Sequence, residues 1–186
     1  QEESGFSLIS GGQFSWGDLL RPVYAGMHGV ETGSQTRWFE VNGFVFPPKV
    51  VGEPKEAASG IMPNYVSPAI MGSTVEVTLV GPYTLLRMLE NEAKVSSALI
   101  KYAFINQFKQ VASSLSPNVM LLEFCEPALS YDARRNISKS EKEEALSFAK
   151  DTYEEIASVM PHSVKTIVQL PDGDFNMVFP DIARFN

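Results

Sequence analysis

The chain has 186 residues, 44% of them apolar and 20% charged, an ordinary globular composition with length enough for one substantial core, which sets aside disordered and fibrous classes. Its 22 acidic residues against 15 basic ones leave a formal net charge of -7, so neither nucleic acid nor an anionic membrane surface is expected as a partner. The single cysteine, Cys125, excludes an internal disulfide and fits a reducing compartment, so the cytoplasm is the expected location. No apolar run reaches the roughly 20 residues that cross a bilayer. The start Gln1-Glu2-Glu3-Ser4 is acidic where a secretory leader would be basic and then apolar.

In chain order, residues 6–10 predict a short buried strand stopped by Gly11-Gly12. A loop rich in glycine and aromatics is expected from there to about residue 35. Residues 36–46 are dense in β-formers, contain Asn42-Gly43 and end at Pro47-Pro48, which predicts a bent strand or hairpin. From 51 to 72 the chain is polar and proline-bearing, and an irregular loop is expected. The β-branched run 74–80, followed by Gly81-Pro82 and Thr84, predicts a strand, a turn and a helix. Leu99, Tyr102, Ala103, Ile105, Phe108 and Ala112 recur near helical spacing and predict an amphipathic helix over 92–114, ended before Pro117. Residues 119–124 read as the next buried strand, closed at Glu126-Pro127. Ser138 with Glu141 three positions on predicts a capping box, and a solvated helix follows to Met160 before Pro161. A last strand is expected over 164–170, ended by Pro171-Asp172-Gly173-Asp174.

Strands alternate with helices and are continuously apolar, which argues for parallel β-structure buried under helices. The candidates are an open doubly wound sheet and a closed barrel. Four or five strands are readable, whereas an eight-stranded barrel takes about 250 residues and at least roughly 200. A barrel therefore needs residues beyond both ends, or another chain.

In such folds ligands gather at the carboxyl ends of strands. Four clusters occupy those positions: residues 11–18, Gly81-Pro82-Tyr83-Thr84, Glu123-Phe124-Cys125-Glu126-Pro127 and Gln169 to Asp174. Asp18 and Glu126 could accept hydrogen bonds from a substrate amine or hydroxyl, with Thr84 donating at a helix start. Equally, Asp18 and Thr84 could cap helices and Glu126 pair with an arginine. Cys125 reads as a small buried hydrophobe, because neither His28 nor His162 is placed to join it in a metal site or nucleophilic pair. No phosphate-binding loop, nucleophile elbow or zinc-protease motif occurs.

At these same clusters the chain resembles the cobalamin-independent methionine synthase family, the zinc- and folate-linked homocysteine methyltransferases built on TIM barrels. Residues 37–48, Arg37-Trp38-Phe39-Glu40-Val41-Asn42-Gly43-Phe44-Val45-Phe46-Pro47-Pro48, are similar to the family's Lys-Trp-Phe-Asp-Thr-Asn-Tyr-His-Tyr pattern before proline. Gly81-Pro82-Tyr83-Thr84 resembles its Gly-Pro-Val-Thr turn, Glu126-Pro127-Ala128-Leu129 its Asp-Glu-Pro-Ala-Leu strand end, and Gly12-Gln13 with Asp18 its Gly-Glu and downstream Asp. The resemblance implies that residues 1–186 form a single α/β domain, part of a (β/α)8 TIM barrel, closest to the amino-terminal, non-zinc half of the two-barrel enzymes. It implies methyl transfer from 5-methyltetrahydropteroyltriglutamate to homocysteine, with Arg37, Trp38 and Asn42 toward the pterin or its glutamate tail and Asp18, Thr84 and Glu126 on the rim. The family's zinc ligands have no counterpart at Gln169-Leu170-Pro171, Cys125 stands where the catalytic barrel has Asp, and Gln13 where it has Glu. No cofactor is therefore expected on this segment, and a noncatalytic partner of a zinc-bearing homologous chain is the alternative reading. A related tetrapyrrole decarboxylase would want an arginine cluster, and Arg134-Arg135 is the only adjacent pair.

Overall fold

The structure is a computed structural model that describes residues 1–11, 16–39, 43–58, 72–133 and 137–171, with Asn176, Pro180 and Ala183. Gln13, Asn42, Arg134, Arg135 and the Asp172-Gly173-Asp174 run lie outside the described residues. After a 3-10 turn over Glu2–Ser4 come β1 (Ile9–Ser10), α1 (Arg21–Tyr24), β2 (His28–Thr32), β3 (Thr36–Arg37), β4 (Phe44–Val45) and β5 (Pro48–Lys55). Then follow β6 (Val75–Val80), α2 (Pro82–Met88), β7 (Glu90–Asn91), α3 (Ser97–Ser113), β8 (Val119–Cys125), α4 (Pro127–Ala133), α5 (Lys139–Val159) and β9 (Lys165–Gln169).

The main sheet runs β1-β6-β8-β9, with every neighbouring pair parallel. The order never reverses. A doubly wound sheet reverses and is covered on both faces, whereas right-handed crossovers in one direction put their helices on one face. Among the described residues four parallel strands are present and no closed barrel forms, so the expected (β/α)8 barrel is matched only as a parallel sheet with helices. Parallel partners point their side chains to the same side, so the register defines two faces. Val77 and Leu122, with Leu79 and Phe124, form the covered face, where Phe124 meets Phe108 of α3 at 6.3 Å and Tyr153 of α5 at 5.2 Å. The other face carries Ser10, Glu76, Leu121 and Lys165 in one row, Thr78, Glu123 and Ile167 in the next, and Val80, Cys125 and Gln169 at the carboxyl ends.

Between β1 and β6 the chain makes two smaller sheets. The expected hairpin is present as β3 and β4, Thr36 opposite Val45 and Arg37 opposite Phe44. The expected loops before residue 35 and after residue 51 are instead partly strands: β2 pairs antiparallel with β5, which runs on to Lys55. Gly29 hid this pairing, because at φ +66 it lies where a Cβ would fall 2.4 Å from the Glu53 carbonyl oxygen, so a glycine that reads as a breaker is a close approach. Pro54 is tolerated because β7 pairs only with Lys49 and Val50, leaving that side of β5 free farther along.

One helix also differs from expectation. Helix α3 starts at Ser97, not near residue 92, because the Asn91 side chain bonds both the N–H and the carbonyl of Val95 and holds a turn. Its buried face is Ile100, Ala103, Phe104, Gln107, Phe108, Val111 and Ala112, while Leu99 and Tyr102, expected on it, are exposed. Glutamine 107 sets that phase: its Oε1 accepts from Ala57 N–H at 3.0 Å and its Nε2 donates to the Val23 carbonyl at 2.9 Å, tying α1 and the end of the β2–β5 sheet to α3. Helix α5 opens with the capping box expected of Ser138 and Glu141, and buries Ala145, Leu146, Phe148, Ala149, Thr152, Tyr153 and Ile156.

Candidate functional site

Glu126 follows β8 directly, and its N–H donates to the Gln169 carbonyl across the strand ends. Its side chain is fully buried. Oε1 accepts from the Tyr83 N–H at 3.0 Å and the Tyr153 hydroxyl at 2.9 Å, and Oε2 accepts from the Thr84 N–H at 2.7 Å. Those two N–H groups belong to the first turn of α2, whose own N-cap, Gly81, has no side chain to offer. Glutamate 126 therefore caps α2 from the next strand, an anion at a helix N-terminus. Only glycine permits this approach, because a Cβ on Gly81 would sit 2.0 Å from the Glu126 carboxyl carbon. Burial pushes the Glu126 carboxyl up to about 7, and the hydrogen bonds from Thr84, Tyr153 and Tyr83 oppose that rise.

Thr84 is equally enclosed, and its Oγ1 accepts from the Ala128 N–H of α4 at 3.2 Å. The structure thus brings Thr84 and Glu126 together, each serving the helix that follows the other's strand. Beneath them, the Tyr83 hydroxyl and Arg87 Nε both donate to Oδ2 of the buried Asp132, at 2.8 and 2.7 Å. Asp132 and Tyr153 were not among the residues singled out from the sequence, and Tyr83 stood there only as a member of the Gly81–Thr84 cluster, with no role of its own. No short-range pattern points to them, since their partners lie 49 and 27 positions away.

Asp18, beyond the end of β1, accepts from the N–H groups of Leu20 and Arg21 through Oδ1, at 2.8 and 3.0 Å, so it holds the first turn of α1. Its side chain is 2% exposed, and Oδ2 lies 3.7 Å from Arg21 Nε without a hydrogen bond. The Arg21 guanidinium lies 4.7 Å from the centre of the Phe46 ring. The Tyr24 hydroxyl donates to the Phe46 carbonyl at 2.7 Å, which ties the β3–β4 hairpin to α1.

That hairpin carries the remaining described site residues, Arg37 and Trp38. Arg37 is exposed at the end of β3, and the Trp38 N–H donates to the Gly43 carbonyl. Trp38 meets Phe39 edge to face at 4.7 Å, and Phe39 meets Tyr131 of α4 at 5.0 Å. The rings join the hairpin to the helix that follows β8, so Trp38 is carried toward the carboxyl ends of the main sheet. Phe39 has φ +38, a left-handed conformation that costs energy in a non-glycine residue.

On the open face, Cys125 shares the row of Val80 and Gln169, and burial pushes its thiol up to about 12, with the charges of Glu126 and Glu123 adding to the rise. A thiol held in that state is a poor metal ligand and nucleophile. One row deeper, the Thr78 hydroxyl donates to Glu123 Oε2 at 3.4 Å, and below it the Glu76 carboxyl is pushed up to about 7 by its hydrogen bond with Glu123, then by burial and by the Glu123 charge. Among the described residues no group of three His, Cys, Asp or Glu could hold a metal ion, and no helix is long and apolar enough to cross a membrane.

No family model matches the chain, and no curated protein does. Its fold is nevertheless similar to two solved structures. One is the B12-independent methionine synthase from Shewanella sp. W3-18-1 in complex with selenomethionine, at a TM-score of 0.67 and 16% identity over 91% of this chain and 48% of that one. The other is a protein from Listeria monocytogenes assigned as a vitamin-B12-independent methionine synthase, at 0.64 and 13% over 91% of this chain and 50% of that one. The chain spans about half the length of the solved structures it matches, and in that span it has the fold of a B12-independent methionine synthase.

Proposed function

We propose that this is a methionine-synthase-like protein of the folate-binding, non-zinc kind, which takes part in methyl transfer from a methyltetrahydrofolate polyglutamate to homocysteine in the cytoplasm. The observation that carries the reading is a coincidence of two independent facts. The Gly81–Thr84 and Glu126–Leu129 motifs fall in family order at the ends of the neighbouring parallel strands β6 and β8, and the order β1-β6-β8-β9 never reverses, which supports a (β/α)8 barrel wall.

In this reading the carboxyl ends of β1, β6, β8 and β9 form part of one mouth. Arg37 and Trp38 on the hairpin, together with Asn42, meet the pterin or its anionic tail, the indole by stacking and the guanidinium by charge-assisted hydrogen bonds. Asp18 offers Oδ2, which has no hydrogen bond of its own, to a donor on the ligand. Thr84 and Glu126 act from below, holding the starts of α2 and α4 in place. Zinc, which the family resemblance implies for a catalytic barrel, finds no fit among the described residues: the β9 end reads Gln169-Leu170-Pro171 and the Cys125 thiol is held protonated.

Calorimetric titration with methyltetrahydrofolate polyglutamate tests the proposal. Saturable binding that is lost in Trp38→Ala, with unchanged circular dichroism, is expected. Absence of binding by the folded protein, where a B12-independent methionine synthase binds under the same conditions, overturns the reading.

A further inference from the structure

Trp38 and Phe39 are neighbours in the chain, and in extended backbone the side chains of neighbours point to opposite sides. Here their rings meet edge to face at 4.7 Å. The backbone at Phe39 accounts for the meeting, since its φ of +38 takes the chain out of the extended region and turns the second ring back toward the first. A bulky residue keeps such a conformation only where surrounding contacts hold it. Tyr131 of α4 supplies one, its ring lying 5.0 Å from that of Phe39.

Helix α4 is a firm support for that contact. Its first turn is held by Thr84, whose Oγ1 accepts from the Ala128 N–H at 3.2 Å, and its end by Asp132, next to Tyr131, whose Oδ2 accepts from the Tyr83 hydroxyl and Arg87 Nε. The hairpin is tied at its base, where the Gly33 N–H donates to the Pro47 carbonyl and the Tyr24 hydroxyl to the Phe46 carbonyl. Toward its far end it meets α4 through the Phe39 ring. We propose that Phe39 and Tyr131 are positioning residues for the Trp38 indole, a clamp that fixes this ring in advance for stacking on a flat pterin. The stacking rests on the function proposed above, and the clamp extends it to two residues with no part in that reading. It also gives the enclosed Thr84 a route to a ligand it does not touch: Thr84 sets α4, α4 sets Phe39 through Tyr131, and Phe39 sets the indole. Fixing the ring beforehand matters because a side chain ordered only on binding subtracts its lost freedom from the affinity.

The chain has two tryptophans, Trp16 and Trp38, so Trp16→Phe leaves Trp38 as the sole indole. Its near-ultraviolet circular dichroism and time-resolved fluorescence anisotropy then report, with no ligand present, how firmly the ring is held. In that background Tyr131→Leu and Phe39→Gly flatten the indole dichroism and add a fast anisotropy decay, while Tyr131→Phe, which keeps the ring, retains the signals of the Trp16→Phe parent. Glycine adopts a positive φ without strain, so a backbone role alone at Phe39 leaves the indole signals of Phe39→Gly unchanged. That variant also keeps the test open if Tyr131→Leu fails to fold. Titration with methyltetrahydrofolate polyglutamate gives dissociation constants about three- to tenfold higher in Tyr131→Leu and Phe39→Gly than in the parent, the loss expected when one side chain must be ordered on binding. Indole signals unchanged in both variants, or affinities equal to that of a parent that binds, overturn the proposal and leave the proposed function standing. A parent that binds no folate, with the indole order lost in both variants, overturns the proposed function and supports the clamp.

Discussion

Glu126→Gln keeps the shape of the most enclosed polar side chain at the strand ends while removing its titration. The folded carboxyl is pushed up to about 7 by burial, against an ordinary value of 4.5. Between those limits the folded chain keeps a proton that the unfolded chain has released, so this group's contribution to stability is full below pH 4.5 and declines as pH rises to 7. The decline amounts to about 3 kcal/mol, a large part of the 5–15 kcal/mol typical of a domain. Glutamine cannot titrate. Its NH2 group, set among the donors of Tyr83, Thr84 and Tyr153, adds a constant cost of about 1–3 kcal/mol at every pH. The variant should therefore start less stable at pH 4.5 and gain about 3 kcal/mol on the parent by pH 7. Glu76 titrates in the same direction, but it is present in both proteins and cancels in the difference. Urea unfolding of both chains, followed by far-ultraviolet circular dichroism at half-unit steps across this window, makes the measurement. Profiles that stay parallel to within about 0.5 kcal/mol would refute the account of Glu126 as a buried group whose charged form the fold disfavours.

Gly81→Ala should cost at least about 3 kcal/mol in the same assay, because the new Cβ meets a carboxyl carbon anchored by three hydrogen bonds that cannot swing aside; a loss below about 1 kcal/mol would mean the contact relaxes. Cys125 should react with iodoacetamide at pH 8 at least about a hundredfold more slowly than a free cysteine, since its thiol is held up to about 12. A rate near that of free cysteine would show that burial does not protect it.

Much of the main sheet was readable in advance. The run ending at Val80 is β-branched and the one ending at Cys125 largely apolar, they are closed by Gly81-Pro82 and Glu126-Pro127, and the capping box at Ser138 starts α5 where expected. These are local signals, decided by residues within a few positions of one another. The β2–β5 pairing was not readable, because its evidence is a glycine that touches a carbonyl 24 positions on. Nor was the face of α3, where Leu99 and Tyr102 are exposed and Gln107 is buried by its bonds to Ala57 and Val23.

The amino-acid sequence by itself determined that parallel strands alternate with helices, where most of them stop, and that polar residues gather just past their ends, because propensity, capping and turn chemistry act within a few residues. Only the tertiary structure decided what those polar residues meet. Glu126 was equally able to face a ligand or a helix, and the choice belonged to a glycine on the neighbouring strand and a tyrosine on α5, which come within reach only after the chain has folded back on itself.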